Sequence, residues 1–488
     1  MTESKYLVGR RLPPGPCGLP IIGNVLDIPP LHQWETFSHW EKQYGDLVYI
    51  KVLGVPMIIV NSMEVAHDLF EKRSSVYSGR YQFPMLTLLD VAWNWGIMDY
   101  GSRWRLHRKA FMRNFHPTAV KEYYPIQTKW IRNLLSSLKE SPEDFESHLR
   151  HHVGAVIMDV VYGIQVLAKD DPYLHTAEDA MAAFSEAATP GSFLVDLLPM
   201  LKYVPEWLPG AGFQKKLKIW KVTFTNLVDL PFYSVKRTLV SREGPPTEPS
   251  IIARMFAEYS RDGSVPSREE EDIMRATGAV AYGAGSDTTN IALTWFVMAM
   301  VLYPEVQRKA QAELDNVLGT DRLPSFEDEE RLPYINALCK EIQRWNPVAP
   351  LSIPHATSQD DVYKGYWIPG GSVVIPNTWA MLHDERIFGP RPAEFEPERF
   401  LRPGARDPNV AFGHGRRMCP GRYMATSSIF ITVASILKVF NITHAKDDVG
   451  NVIPVEPICT DGIVTHPERF CCAITPRSLA AESLLASL

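Results

Sequence analysis

Cys419 stands in Phe412-Gly413-His414-Gly415-Arg416-Arg417-Met418-Cys419-Pro420-Gly421, where one thiol is framed by glycines and arginines. A thiolate donates strongly to iron and favours O–O cleavage, so a cysteine offered in this way suits an axial position on haem iron and oxygen activation rather than reversible oxygen carriage. Glycines remove side chains where backbone passes close to a flat macrocycle or turns sharply, and Arg417 offers cationic donors to a carboxylate such as a haem propionate. The segment 422–440 reads as a helix whose first amides would favour the thiolate. A cysteine met alone is more often a small buried hydrophobe; here the whole decapeptide must be explained with it.

Three further groupings could do chemistry with that thiol. Gly283-Ala284-Gly285-Ser286-Asp287-Thr288-Thr289 interrupts a long helical pattern with residues of low helix propensity. Small residues there would admit a flat group and oxygen to the backbone, and a threonine hydroxyl bonded back to a carbonyl would open a local bulge. Trp104 and Arg108 lie four apart on a basic stretch and share one helical face, with Arg103, Arg105, Lys109 and Arg113 around them. Such a face is by default a solvated one; its functional alternative is docking of an acidic electron donor. Glu341 and Arg344, three apart, face the same way on another helix, and Pro397-Glu398-Arg399-Phe400 lies downstream.

Phe412, Gly415, Arg417, Cys419 and Gly421 match the haem-binding loop of the cytochrome P-450 superfamily, the haem-thiolate monooxygenases, and the other groupings follow its order along almost the whole chain. The resemblance implies haem b with Cys419 as its iron ligand, Ala284 over the haem, and Asp287 with Thr288 as the acid-alcohol pair that delivers protons to dioxygen. It implies propionate contacts from Trp104, Arg108, His355 and Arg417, and a buried structural triad of Glu341, Arg344 and Arg399. Trp95, Ala284, Leu351, Ile353 and Val464 are the expected pocket residues. The implied reaction oxidises a hydrophobic small molecule with electrons from NADPH, brought by NADPH–cytochrome P-450 reductase with cytochrome b5 as a second donor. A haem-thiolate isomerase or dehydratase needing no electrons, and a non-catalytic haem binder, are the alternatives; the intact Asp287-Thr288 pair counts against both.

These residues need elements to hold them. The segment 267–302 is the longest helical candidate, about 36 residues and on the order of 50 Å, long enough to cross the molecule. Leu47–Val52 and the run 57–60 read as a hairpin turning at 53–56, and 361–366 and 372–375 read as strands. Residues 118–241 are mainly helical with breaks at 190–191 and 205–210, which the resemblance makes a lid, and 241–250 reads as a surface linker. The fold expected is mainly α with a small β region, a helix-rich triangular body with haem between the long helix and the cysteine loop. Residues 1–24 form an N-terminal segment and proline-rich hinge, and 25–488 a single haem-binding domain.

Composition sets outer bounds. With 488 residues, 45% hydrophobic and 22% charged, the chain is an ordinary globular one, and a net charge of −6 argues against nucleic acid as the partner. The six cysteines show no disulfide framework, which points to a reducing compartment, nor any zinc-type spacing. No run reaches the roughly 20 apolar residues that span a bilayer. Arg10-Arg11-Leu12-Pro13-Pro14-Gly15-Pro16 looks like the hinge behind the membrane anchor of eukaryotic microsomal members, with a fungal cast. The expectation is a monomer at the cytosolic face of the endoplasmic reticulum whose anchor is absent from this sequence.

Overall fold

The structure is a computed structural model that describes residues 11–189, 192–207, 211–241, 250–260 and 264–488. Most of the expected linker at 241–250 and parts of the two lid breaks therefore lie outside the described residues. The rest is mainly helical, with three small sheets.

The organising element is the helix Arg268–Leu302. Ser267 caps it, accepting from the Glu270 N–H while the Glu270 carboxylate accepts from the Ser267 N–H at 2.8 Å. Three glutamates in the first turn suit the positive end of the helix dipole. From Ile291 to Val301 every residue is buried, as expected of a helix that is apolar all round. The Thr288 hydroxyl does donate to the Ala284 carbonyl at 2.9 Å, as the sequence led us to expect, but it does so without the expected bulge. One side-chain bond is accommodated within ordinary helical geometry here, so the helix runs through the glycines unbroken.

The main sheet has the strand order β1-β2-β7-β4-β3. Here β1 is Leu47–Val52, β2 Val55–Val60, β3 Gly79–Arg80, β4 His355–Ala356 and β7 Val373–Pro376. The β1–β2 turn is tighter than the four residues expected, because Leu53 and Gly54 both take positive φ (45° and 92°) and close a two-residue hairpin. Pro56 thereby falls inside β2, one residue before β7 begins to pair, where its missing N–H breaks no ladder. The run expected as one strand at 361–366 is instead a second hairpin, β5 Asp361–Tyr363 with β6 Tyr366–Ile368, turned by Lys364 and Gly365 at positive φ. A third pair joins β8 Phe440–His444 to β9 Cys472–Pro476. The consequential pairing is β3 with β4, which sets Arg80 opposite His355.

Glu341, Arg344 and Arg399 meet as expected, all buried. Glu341 Oε2 accepts from Arg344 Nε at 2.7 Å, and Oε1 accepts from Arg344 Nη2 at 2.8 Å, Arg399 Nε at 3.1 Å and the Glu396 N–H at 2.8 Å. A second carboxylate, Glu396, lies 3.5 Å from Arg399 Nη2. The guanidiniums also donate to the carbonyls of Leu382, Phe388, Pro392 and Glu394, so the segment 382–394 is tied to the helix Pro333–Trp345. Removing one member of such a network strands the others, at a cost of about 3–5 kcal/mol. Glu341→Ala should therefore yield little haem-loaded protein, checked by the haem-to-protein absorbance ratio after expression; a normal ratio would contradict the structural assignment.

Candidate active site

The loop 412–421 is held by its own backbone and by two neighbours. The Cys419 N–H donates to the Phe412 carbonyl at 2.7 Å, and the Gly415 N–H to Glu71 Oε1 at 2.8 Å. Gly415 has φ +52°, and a Cβ there would lie 2.1 Å from the Phe70 carbonyl oxygen, so only glycine permits this approach. Arg108 Nη2 donates to the Met418 carbonyl at 2.7 Å and Arg422 Nη1 to the Cys419 carbonyl at 3.0 Å. Burial pushes the Cys419 thiol above its ordinary value, while the Gly421 N–H, the Arg108 and Arg422 charges and the Arg422 N–H pull it back. The helix N-terminus and the two arginines thus offset part of the burial cost; a bound metal cation deprotonates a coordinating thiol outright.

Cys419, Pro420 and Gly421 floor a cavity of about 360 Å³ whose opposite wall is Ala284, Gly285, Thr288 and Thr289 of the long helix. At one end stand Arg80, Trp95, Trp104, Arg108, His355, His414 and Arg417. Among the described residues no aspartate or glutamate lines the cavity. Burial pulls Arg108 and Arg417 down to about 10 and Arg80 well below its usual range, with Arg417 adding to the effect on Arg80. His355 and His414 are likewise pushed down by burial and by Arg80, His414 to about 4. Four buried nitrogens in this rim, Trp95 Nε1, Trp104 Nε1, His414 Nε2 and Arg417 Nη1, have no hydrogen-bond partner. Buried polar atoms are rarely left in this state. Buried cations with little counter-charge and unpartnered nitrogens around a cavity with a thiol in its wall fit a planar apolar group that carries carboxylates and a thiophilic metal, which is haem.

Of the residues expected at the site, Cys419, Phe412, Gly421, Trp104, Arg108, His355, Arg417, Ala284, Thr288, Trp95, Ile353 and Val464 line this cavity. Three do not. Gly415 shapes the loop from behind, against Phe70. Leu351 packs on the main sheet beside Phe37 and Ile50; Ser352 between it and Ile353 takes φ +50°, which breaks the alternation that would have put both side chains on one side. Asp287 lies about 100° around the helix from Thr288 and faces a separate notch with Arg150 and Glu178. The sequence reading missed Arg80 and His414, as well as Met181, Phe184, Phe224 and Leu227 from the lid helices. Arg80 carried no local signal, since only the β3–β4 pairing brings it to His355.

A helical body with a thiol at a helix N-terminus, a glycine-softened helix across from it and an anion-seeking rim defines a haem-thiolate protein. The chain belongs to the cytochrome P-450 family, whose model matches residues 13–472. It is similar to cytochrome P-450 monooxygenase COX2 of Coprinopsis cinerea, 42% identical over 485 residues that cover 98% of this chain and 91% of that protein. It also resembles the tryptamine 4-monooxygenase of Psilocybe cyanescens, 41% identical over 481 residues, 96% of this chain and 93% of that one. Cytochrome P-450 monooxygenase ple1 of Rhodocybe pseudopiperita is 38% identical over 492 residues, 99% and 93%. The fungal cast of the sequence is borne out by these relatives, and the chain is a haem-thiolate monooxygenase, an oxidoreductase that incorporates molecular oxygen. The isomerase and passive-binder alternatives are not favoured.

Cys419→Ala should abolish the thiolate-type spectrum of the reduced carbon-monoxide complex. Survival of that spectrum would overturn the ligand assignment.

Proposed function

We propose that this monooxygenase oxidises a neutral, hydrophobic small molecule of fungal secondary metabolism with electrons from NADPH through NADPH–cytochrome P-450 reductase. The observation that carries the substrate class is the wall of the cavity. Trp93, Met181, Phe184, Phe224, Leu227, Val280, Ile353, Ile463 and Val464 enclose it, and among the described residues no carboxylate lines it. The Psilocybe relative is named for acting on tryptamine, an amine that is cationic at neutral pH. A buried ammonium needs a paired anion, and this cavity offers only cations, so a neutral substrate is the better match.

Haem held through Cys419 supplies oxygen activation, the thiolate push favouring O–O cleavage. The chain does the rest. Trp104, Arg108, His355 and Arg417 would hold the haem carboxylates at the rim, Ala284 keeps the helix wall free of a large side chain, and the apolar walls exclude water. The Thr288 hydroxyl spends its proton on the Ala284 carbonyl, leaving its oxygen lone pairs to accept a proton or hold a water at the cavity. Asp287, one residue back, takes protons from the solvent side. Residues 25–488 act together in this reading, since the walls of one cavity are drawn from 80 to 464.

Two surfaces support the expected partners. Arg103, Arg105 and Lys109 are exposed, and Arg105 and the exposed Arg416 of the cysteine loop both lie over the Tyr100 ring, at 5.6 and 5.1 Å. This makes one basic face outside Cys419, suited to an acidic electron donor. Ile21, Leu26, Met200, Tyr203 and Trp207 are each at least three-quarters exposed, and such exposed apolar side chains suit attachment to the cytosolic surface of the endoplasmic reticulum. Among the described residues no single helix is long and apolar enough to cross a membrane.

Screening neutral terpenoids, polyketides and aromatics beside protonated amines should give the spectral change of displaced iron-bound water with neutral compounds and none with tryptamine; the reverse would sink the substrate class. Thr288→Ala should keep full haem loading while cutting product per NADPH several-fold in favour of peroxide, and unchanged coupling would remove its proton role.

A further inference from the structure

His466 lies outside the cavity, on the segment 460–466, with its Nε2 3.5 Å from Asp287 Oδ2. The two side chains differ in exposure, 42% for His466 and 20% for Asp287, so the imidazole is the outer member of the pair. The segment that carries it is closed on itself. The Thr460 N–H donates to the His466 carbonyl at 2.8 Å, and the His466 N–H donates to Thr460 Oγ1 at 3.0 Å. Within that closed segment, Ile463 and Val464 line the cavity. One rigid loop therefore touches the substrate space with two residues and the proton-side carboxylate with a third.

The helix makes such an outer partner necessary. Thr288 faces the cavity, and Asp287 faces the notch shared with Arg150, Glu178 and Ser286. Arg150 is itself engaged with Glu178 at 3.7 Å, which leaves His466 as the basic side chain paired with Asp287 among the described residues. A carboxylate turned away from the place where its proton is needed has to be loaded on the solvent side and then turned.

We infer that His466 is a positioning residue for proton entry, holding the Asp287 carboxylate at the solvent edge and passing it protons. The inference rests on the Asp287–Thr288 proton role proposed above. In this step a proton taken up from bulk water by the imidazole passes from Nε2–H to Asp287 Oδ2 through one bridging water, the 3.5 Å separation being longer than a direct hydrogen bond. Rotation of the aspartate side chain brings the neutral acid toward Thr288, where it gives the proton up and returns as carboxylate. One proton crosses per cycle, and nothing is oxidised or reduced. Because Ile463 and Val464 share the loop, a molecule that displaces them also moves His466 relative to Asp287, so occupancy of the cavity and proton entry are mechanically linked.

The test is NADPH oxidation in air by the full-length holoenzyme with reductase and no added substrate, reading peroxide released per NADPH and the solvent deuterium isotope effect on the rate. His466→Ala should at least double both, and His466→Lys, which restores a protonated partner, should return them toward wild type. The reduced carbon-monoxide spectrum and thermal midpoint should not move in either variant, since the loop is pinned by backbone bonds. If His466→Ala leaves both readouts unchanged while Thr288→Ala raises peroxide, the role of His466 is refuted and the proton role of Thr288 stands. If Thr288→Ala and Asp287→Asn also leave them unchanged, the underlying proton reading fails instead. A change in His466→Ala that lysine does not restore would mark a steric role and likewise refute the inference.

Discussion

Positive charge buried without an anion is among the least favourable arrangements a fold can hold, and this chain builds one cavity around it. Arg80, Arg108 and Arg417 converge at one end, and each is partly satisfied by carbonyls: Arg80 by those of Gly96, Ile353 and Pro354, Arg108 by Met418, Arg417 by Ser78 and Met98. The carbonyls come from the region 78–98, the segment after the Glu341 helix, and the cysteine loop. The same guanidiniums that await carboxylates thus stitch together the three pieces of chain that must meet at the haem edge. Asp99 offsets part of the charge on Arg417; the ligand's carboxylates would offset more, so binding the cofactor and completing this part of the fold are coupled in energetic terms.

The Glu341 cluster solves the opposite problem with the same chemistry. There the charge is resolved internally, by the Glu341 and Glu396 carboxylates and a set of carbonyls, and no ligand is wanted. Of the two arginine clusters, one is complete within the chain, and the other leaves Arg417 Nη1 without a hydrogen-bond partner among the described residues.

What could be read from the sequence follows from how local each signal is. Cys419, Arg417 and Phe412 declare themselves within ten residues, and Trp104 with Arg108 within five, so their convergence on one cavity was legible. Arg80 was not, since a two-residue strand, β3, has no pattern to read and takes its meaning from pairing with β4. Leu351 was misplaced because a single left-handed residue, Ser352, reverses an alternation that extended chain would have kept. The hairpin at 361–368 hid behind Lys364, a non-glycine at positive φ where a turn usually announces itself with glycine alone.

Asp287 and Thr288 show a limit of another kind. Adjacent in sequence, they are easily read as one unit acting on one place, yet successive residues of an unbroken helix point about 100° apart. Had the helix opened a bulge at Thr288, both groups could have shared the cavity. It runs continuous from Arg268 to Leu302 instead, so the alcohol faces the cavity and the acid faces the notch outside it. The separation has a chemical merit. A carboxylate inside the cavity would stand as a negative charge beside apolar walls and would be costly to bury, whereas in the notch the Asp287 side chain keeps 20% exposure.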